Sequence, residues 1–148
     1  MSEQHLQQTL SAIDISKAQL ENLSRQQEMV QSSLEEHIRA KESVEQIAKA
    51  EENEEILVPV GAGVFLHARV GNHKTGIANA GASVMMEKGM QDIVKMLDSR
   101  IEELRDAVKE LDVQGEKIGN AIEQLSADAQ QQYAELQKPA AGPAGKSK

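Results

Sequence analysis

From Met90 to Leu136, apolar or small residues return at Met90, Val94, Leu97, Ile101, Leu104, Val108, Leu111, Gly115, Ile118, Ile122, Leu125 and Ala129, and Gln132 and Leu136 continue the series. The steps alternate between four and three residues without a slip, and no proline interrupts them. A mean step of about 3.5 residues is that of a left-handed coiled coil, because the α-helix must be slightly underwound to keep such a stripe on one side. One amphipathic helix laid on a globule is the alternative, but globular helices average only about 11–12 residues.

The stretch from Glu3 to Asn53 contains neither proline nor glycine. Leu6, Leu10, Ile13, Leu20, Leu23, Val30, Leu34, Ile38, Val44 and Ile47 form a second helical stripe, with Lys17, Gln27 and Lys41 as polar interruptions. Composition agrees with a thin seam rather than a thick core. Aromatics are 1% of the 148 residues, namely Phe65 and Tyr133, and aromatics normally supply much of a globular interior. Two helices of similar length, each about 75 Å long at 1.5 Å per residue, fold back most simply as an antiparallel pair. The layers then match Leu6 with Leu136, Leu10 with Gln132, Ile13 with Ala129, Lys17 with Leu125, Leu20 with Ile122, Leu34 with Val108 and Lys41 with Ile101. The same register sets Gln27 opposite Gly115, one turn before Gly119. Glycine within a helix costs about 0.8–1 kcal/mol relative to alanine, so a bend at this weak layer is one expectation and simple tolerance of glycine the other.

Between the helices the texture changes to Val, Ile and Ala punctuated by glycine. Ile56–Val60 and Val64–Val70 flank the turn Gly61-Ala62-Gly63. Ile77–Ala80 and Ser83–Glu87 follow a second turn around Asn72. Four short strands make two β-hairpins. An isolated hairpin is marginal in water and its edges invite other strands. We therefore expect an obligate oligomer closed into a β-barrel platform. Ile56, Val58, Val60, Val64, Leu66, Ile77 and Val84 are its candidate assembly residues. The expected organisation is a helix over 1–54, hairpins over 55–87, a helix over 88–138 and a disordered tail over 139–148. The fold class is mainly α: a long antiparallel two-helix coiled coil joined by two β-hairpins.

Charge and chemistry narrow the function. A net charge of −8 with 27% charged residues argues against nucleic acid, which needs a basic surface, and against an anionic membrane. There is no cysteine, which excludes disulfides, thiol catalysis and Cys-ligated zinc. No apolar run reaches a membrane span and the N-terminus lacks the pattern of a secretory signal, so a cytoplasmic location is expected. Gly61-Ala62-Gly63 lacks the Lys-Ser/Thr that completes a phosphate loop. His67 and His73 have no evident third metal ligand, and His5 and His37 lie among polar helix residues. Nucleophile–base pairs are missing, so an enzyme is not expected.

The run Ile56-Leu57-Val58-Pro59-Val60-Gly61-Ala62-Gly63-Val64-Phe65-Leu66, followed by Gly76-Ile77-Ala78-Asn79-Ala80-Gly81-Ala82-Ser83-Val84 between two long helices, resembles the alpha-class subunits of prefoldin, particularly the archaeal kind. The resemblance spans about residues 5–137, and the middle segment carries it. It implies a chaperone hexamer of two alpha and four beta subunits on a double β-barrel platform. It further implies that the coiled-coil tips hold non-native polypeptides without nucleotide or other cofactor and pass them to a group II chaperonin. Fraying at the tips would expose Leu6, Leu10, Ile13, Leu125, Tyr133 and Leu136 as the client-binding residues. The competing reading is a structural or adaptor coiled coil docking one folded partner, which leaves the two hairpins unexplained.

Overall fold

The computed structural model describes residues 2–138, so the tail expected over 139–148 lies outside the described residues. Helix α1 (Glu3–Lys49) is followed by strands β1 (Glu55–Gly61), β2 (Val64–Arg69), β3 (Thr75–Asn79) and β4 (Met85–Gly89), and helix α2 (Met90–Gln137) closes the order. Each hairpin is a separate two-stranded antiparallel sheet, β1 with β2 and β3 with β4. By packing, the chain divides into a terminal part, made of α1 up to Met29 and α2 from Ala107, and a central part, Val30–Asp106.

In the terminal part the less exposed positions of α1 are Leu6, Thr9, Ile13, Ser16, Leu20, Leu23 and Gln27, with Ala12 beside them. The seam thus runs through Thr9 and Ser16, where the sequence reading placed Leu10 and Lys17. The reason lies in the beat. Counting back from Leu23 and Leu20 in unbroken three-four steps arrives at Ser16, Ile13, Thr9 and Leu6, whereas a seam through Lys17 must take two steps of three in succession. Helix geometry keeps the beat and leaves Leu10 on the flank, 47% exposed. On α2 the expected series holds: Leu111, Gly115, Ile118, Ile122, Leu125, Ala129 and Gln132 are all shielded, while Leu136 is exposed.

The pairing at Gly115 differs from expectation by one turn. A Cβ on Gly115 would lie 3.3 Å from Leu23 Cδ2, and Gln27 instead donates to Asp112 Oδ1 at 2.7 Å. Sliding one helix by a layer keeps every apolar residue on the seam, so periodicity alone does not fix the register. Leu23 fills the space over the glycine, which a polar Gln27 would fill poorly. Both glycines sit inside unbroken helix.

The central part holds the hairpins. Ala78 of β3 packs with Ile93 and Leu97 of α2, and Ala40, Val44, Met90 and Met96 surround them. Strand β3 begins and ends earlier than the expected Ile77–Ala80, and β4 begins and ends later than the expected Ser83–Glu87. Gly81, Ala82 and Ser83 all have positive φ (108°, 49° and 64°), and this left-handed run turns the chain before Ala80 and Val84 can join the ladder. The turn is held by Ala80 N donating to Val84 O at 2.8 Å and Val84 N to Gly81 O at 2.9 Å. At the other end Thr75 and Gly76 extend the strand, because Gly76 must fit beneath Ile93: a Cβ there would come within 2.9 Å of Ile93 Cδ1. The first hairpin turns on Gly61, Ala62 and Gly63, all with positive φ.

Candidate functional site

Two surfaces carry the residues singled out from the sequence. The first is the hairpin between β1 and β2. Cross-strand partners are Glu55–Arg69, Ile56–Ala68, Leu57–His67, Val58–Leu66 and Pro59–Phe65. Side chains alternate across a sheet, so Ile56, Val58, Leu66 and Ala68 share one face. The other face carries Leu57, Pro59 and Phe65, with Glu55, His67 and Arg69 at its base. Of these, Ile56 and Ala68 are half-buried and the rest exposed, on both faces. Only its base is tied down: Asn53 N donates to Val70 O at 2.7 Å and Val70 N to Glu54 O at 2.9 Å. His67 Nδ1 lies 3.1 Å from Glu55 Oε1 in open solvent. Val60 and Val64 at the turn are exposed too, as are Ile77 on β3 and Val84 in the second turn.

The second surface belongs to the terminal part. Thr9 Oγ1 stands 3.2 Å from Gln132 Oε1 and 3.1 Å from the His5 carbonyl, so one hydroxyl proton serves two acceptors. Both residues are buried, which makes this a polar layer inside the seam. The layer is closed: Ile13 is 7% exposed and Ala129 8%, and Leu6 and Leu125 are half-buried. Of the six residues expected to be bared by fraying, three are therefore packed. The other three are already on the surface, with Leu10 47%, Tyr133 56% and Leu136 37% exposed. Leu10 follows Thr9 and Tyr133 follows Gln132. In an antiparallel pair, residues one step beyond facing seam positions lie on the same flank, so Leu10 and Tyr133 share one flank of the pair. Gln137 Nε2 donates to the Tyr133 hydroxyl at 2.8 Å, which satisfies the polar end of the ring and leaves its apolar body outward. A different recess is lined by His5, Asp128, Gln131, Gln132 and Glu135, polar throughout. Around the Thr9–Gln132 layer the surface is thus two-sided, with Leu10 and Tyr133 on one flank and Asp128 and Glu135 on the other.

The central part has one seam cation. Lys41 Nζ lies 2.6 Å from Asp98 Oδ1 and 3.7 Å from Glu45 Oε1. The hydrogen bond to Asp98, with the charges of Asp98 and Glu45, raises the Lys41 pKa above its ordinary value. Asp98 rather than Ile101 is thus the partner of Lys41, because an ammonium on a seam turns to the carboxylate it can reach.

Sequence reasoning missed Ile93, buried beneath the second hairpin, and Arg100, which donates to the Asn79 carbonyl at 3.0 Å. They are seven residues apart on α2, one heptad, and lie beside the seam rather than on it. That spacing was their only signal. Among the described residues no group of three or more His, Asp or Glu could hold a metal ion, and no helix is long and apolar enough to cross a membrane.

Two long helices paired through a heptad seam and joined by twin hairpins with an uncovered apolar hairpin define a coiled-coil assembly subunit. Residues 16–135 match the family profile described as Prefoldin subunit, and the chain belongs to that family, a family of chaperone subunits. Prefoldin alpha subunits of archaea are among its relatives. Prefoldin subunit alpha of Methanococcus maripaludis is 29% identical over 101 residues, 68% of each chain. Prefoldin subunit alpha 1 of Thermococcus kodakarensis is 33% identical over 87 residues, 59% of this chain and 60% of the relative. Among solved structures, a filamentous PFD from Methanocaldococcus jannaschii superposes with a TM-score of 0.66 at 19% identity, covering 80% of this chain and 98% of that one. The prefoldin beta subunit from Thermococcus strain KS-1 gives 0.58 at 19% identity, covering 91% and 95%. These two likenesses establish the shared coiled-coil and hairpin fold.

Proposed function

We propose that this chain is the alpha subunit of an ATP-independent holdase that works in the cytoplasm. It assembles through its hairpins with prefoldin beta subunits, two alpha to four beta, in a β-barrel platform. Its helical arms hold non-native polypeptides and deliver them to a group II chaperonin. Ile56, Val58, Val60, Val64, Leu66, Ile77 and Val84 serve assembly. Leu10, Tyr133 and Leu136 make the client contacts, with Leu6, Ile13 and Leu125 closing the seam behind them.

The observation that carries the client site is the apolar flank beside a closed polar layer. A patch of three side chains offers little area, so each contact with an unfolded segment is weak. Several arms around one client raise the effective concentration and replace specificity with avidity. An exposed flank also needs no melting of the helix ends before it can bind. The test is aggregation of a chemically unfolded, unrelated protein, followed by light scattering without ATP in the presence of the assembled complex. Leu10→Ser, Tyr133→Ser and Leu136→Ser together should abolish most of this chain's share of the protection while leaving the complex assembled. Undiminished protection would sink the client assignment, and a chain that binds one folded partner while ignoring unfolded ones would be an adaptor.

A further inference from the structure

The two hairpins are mounted differently, and the difference singles out one residue. The first is tied by backbone hydrogen bonds at its base alone. The second is fastened to α2 along its length. Met90 N donates to Lys74 O at 3.0 Å where the strand begins. Gly76 fits under Ile93 and Ala78 is buried against Ile93 and Leu97. Beyond Ala78 the side-chain packing stops: Asn79, Ala80, Val84 and Met85 are exposed. There the Arg100 guanidinium donates to the Asn79 carbonyl, while the Asn79 side chain accepts from Gly81 N at 2.9 Å and starts the turn.

The spacing explains how one arginine can do this. Three strand residues, Gly76 to Asn79, advance about 10 Å. Seven helix residues, Ile93 to Arg100, advance about 10.5 Å. Strand β3 therefore runs beside α2 with equal rise, and one heptad of helix supplies an apolar anchor at one end and a cationic anchor at the other. Arginine suits the second place because its long stem reaches past the packed region and its guanidinium donates in a fixed plane.

We infer that Arg100 is a positioning residue for assembly: it holds the outer half of the second hairpin along α2, so that Ile77 and Met85 meet an apolar hairpin of a sister subunit in one orientation. The inference rests on the assembly reading above. Ile77 is 71% exposed and Met85 60%, and both lie on the face turned away from Ala78, since Ile77 pairs with Glu87 and Asn79 with Met85. A hairpin already set at the right angle loses less freedom on docking, and such preorganisation strengthens association without a new contact.

The experiment compares the full chain with its Arg100→Leu and Arg100→Lys variants, each first shown by circular dichroism to keep its helix content. Amide hydrogen exchange is measured on the chain alone, and affinity for a cognate prefoldin beta subunit by native mass spectrometry and titration. Arg100→Leu should speed exchange at Ala80 and Val84 about tenfold, leave the amides of Val64–Arg69 unchanged and weaken assembly about tenfold. Arg100→Lys, which keeps a donor, should restore most of both. Unchanged exchange at Ala80 and Val84 overturns the inference, as does altered exchange with unaltered affinity. A wild-type chain that fails to assemble with the beta subunit overturns the assembly reading itself, whatever the exchange shows.

Discussion

Thr9 and Gln132 form a polar layer where leucines would bury more area, and its worth depends on both partners being present. Removing one partner leaves the other buried without a bond, at a cost of about 1–3 kcal/mol, whereas replacing both by apolar groups of similar shape is close to neutral. We therefore expect Thr9→Val to lower stability by that amount, and Thr9→Val with Gln132→Leu to recover most of it, read from urea denaturation in a double-mutant cycle. Lys41 gives a pH-dependent counterpart. Its bond to Asp98 raises its pKa in the folded chain above 10.5. A raised pKa means that the folded state holds the proton more tightly, so the stabilisation is complete below pH 10.5 and is lost as pH climbs through the raised value. Thermal melts of the wild type and Lys41→Met should differ at neutral pH and converge in strongly alkaline buffer. A gap that is constant with pH would remove the ion pair from the account.

At the level of elements, the two helix glycines are not equivalent. Nothing lies within 4 Å of a Cβ placed on Gly119, while one on Gly115 meets Leu23 Cδ2 at 3.3 Å. Gly119→Ala should therefore gain the full helix-propensity difference, about 0.8–1 kcal/mol. Gly115→Ala should gain less, since the end of Leu23 must shift; chemical denaturation of both variants checks the order. The same helices show how far sequence can be read. The heptad seam of α2 was legible down to Gln132, because apolar spacing is a direct image of helix geometry. Phase on α1 was legible only to a reader who trusted the beat over hydropathy, since Thr9 and Ser16 sit where polar residues are least expected. Register was illegible at Gly115, where a slide of one layer costs the pattern nothing. The hairpins were legible as a pair, but the bounds of the second followed from a left-handed turn of three residues, of which Gly81 announced only the first and Ala82 and Ser83 gave no sign. Arg100 stayed hidden because its partner is a backbone carbonyl, which has no sequence signature.

At the scale of the whole molecule, the first hairpin is the part that the chain does not finish by itself. Val58 and Leu66 are cross-strand partners on one face, 38% and 54% exposed. A charge at that pair would have to be desolvated in any interface that covers it. Val58→Lys with Leu66→Lys should therefore abolish assembly with a beta-class sister while leaving the helical circular dichroism unchanged. Native mass spectra of mixtures of the two subunits would decide it, and a complex of ordinary stoichiometry would remove this face from the interface.

A hairpin with oily residues on both sides makes a lone copy of this protein resemble a chain that has not finished folding. Newly made chains without partners would be picked up by the cell's own quality control, and surplus copies degraded or clumped. Balanced synthesis of the different subunits is then a requirement written into two short strands, and overproducing this one alone should yield inclusion bodies or misassembled homomers.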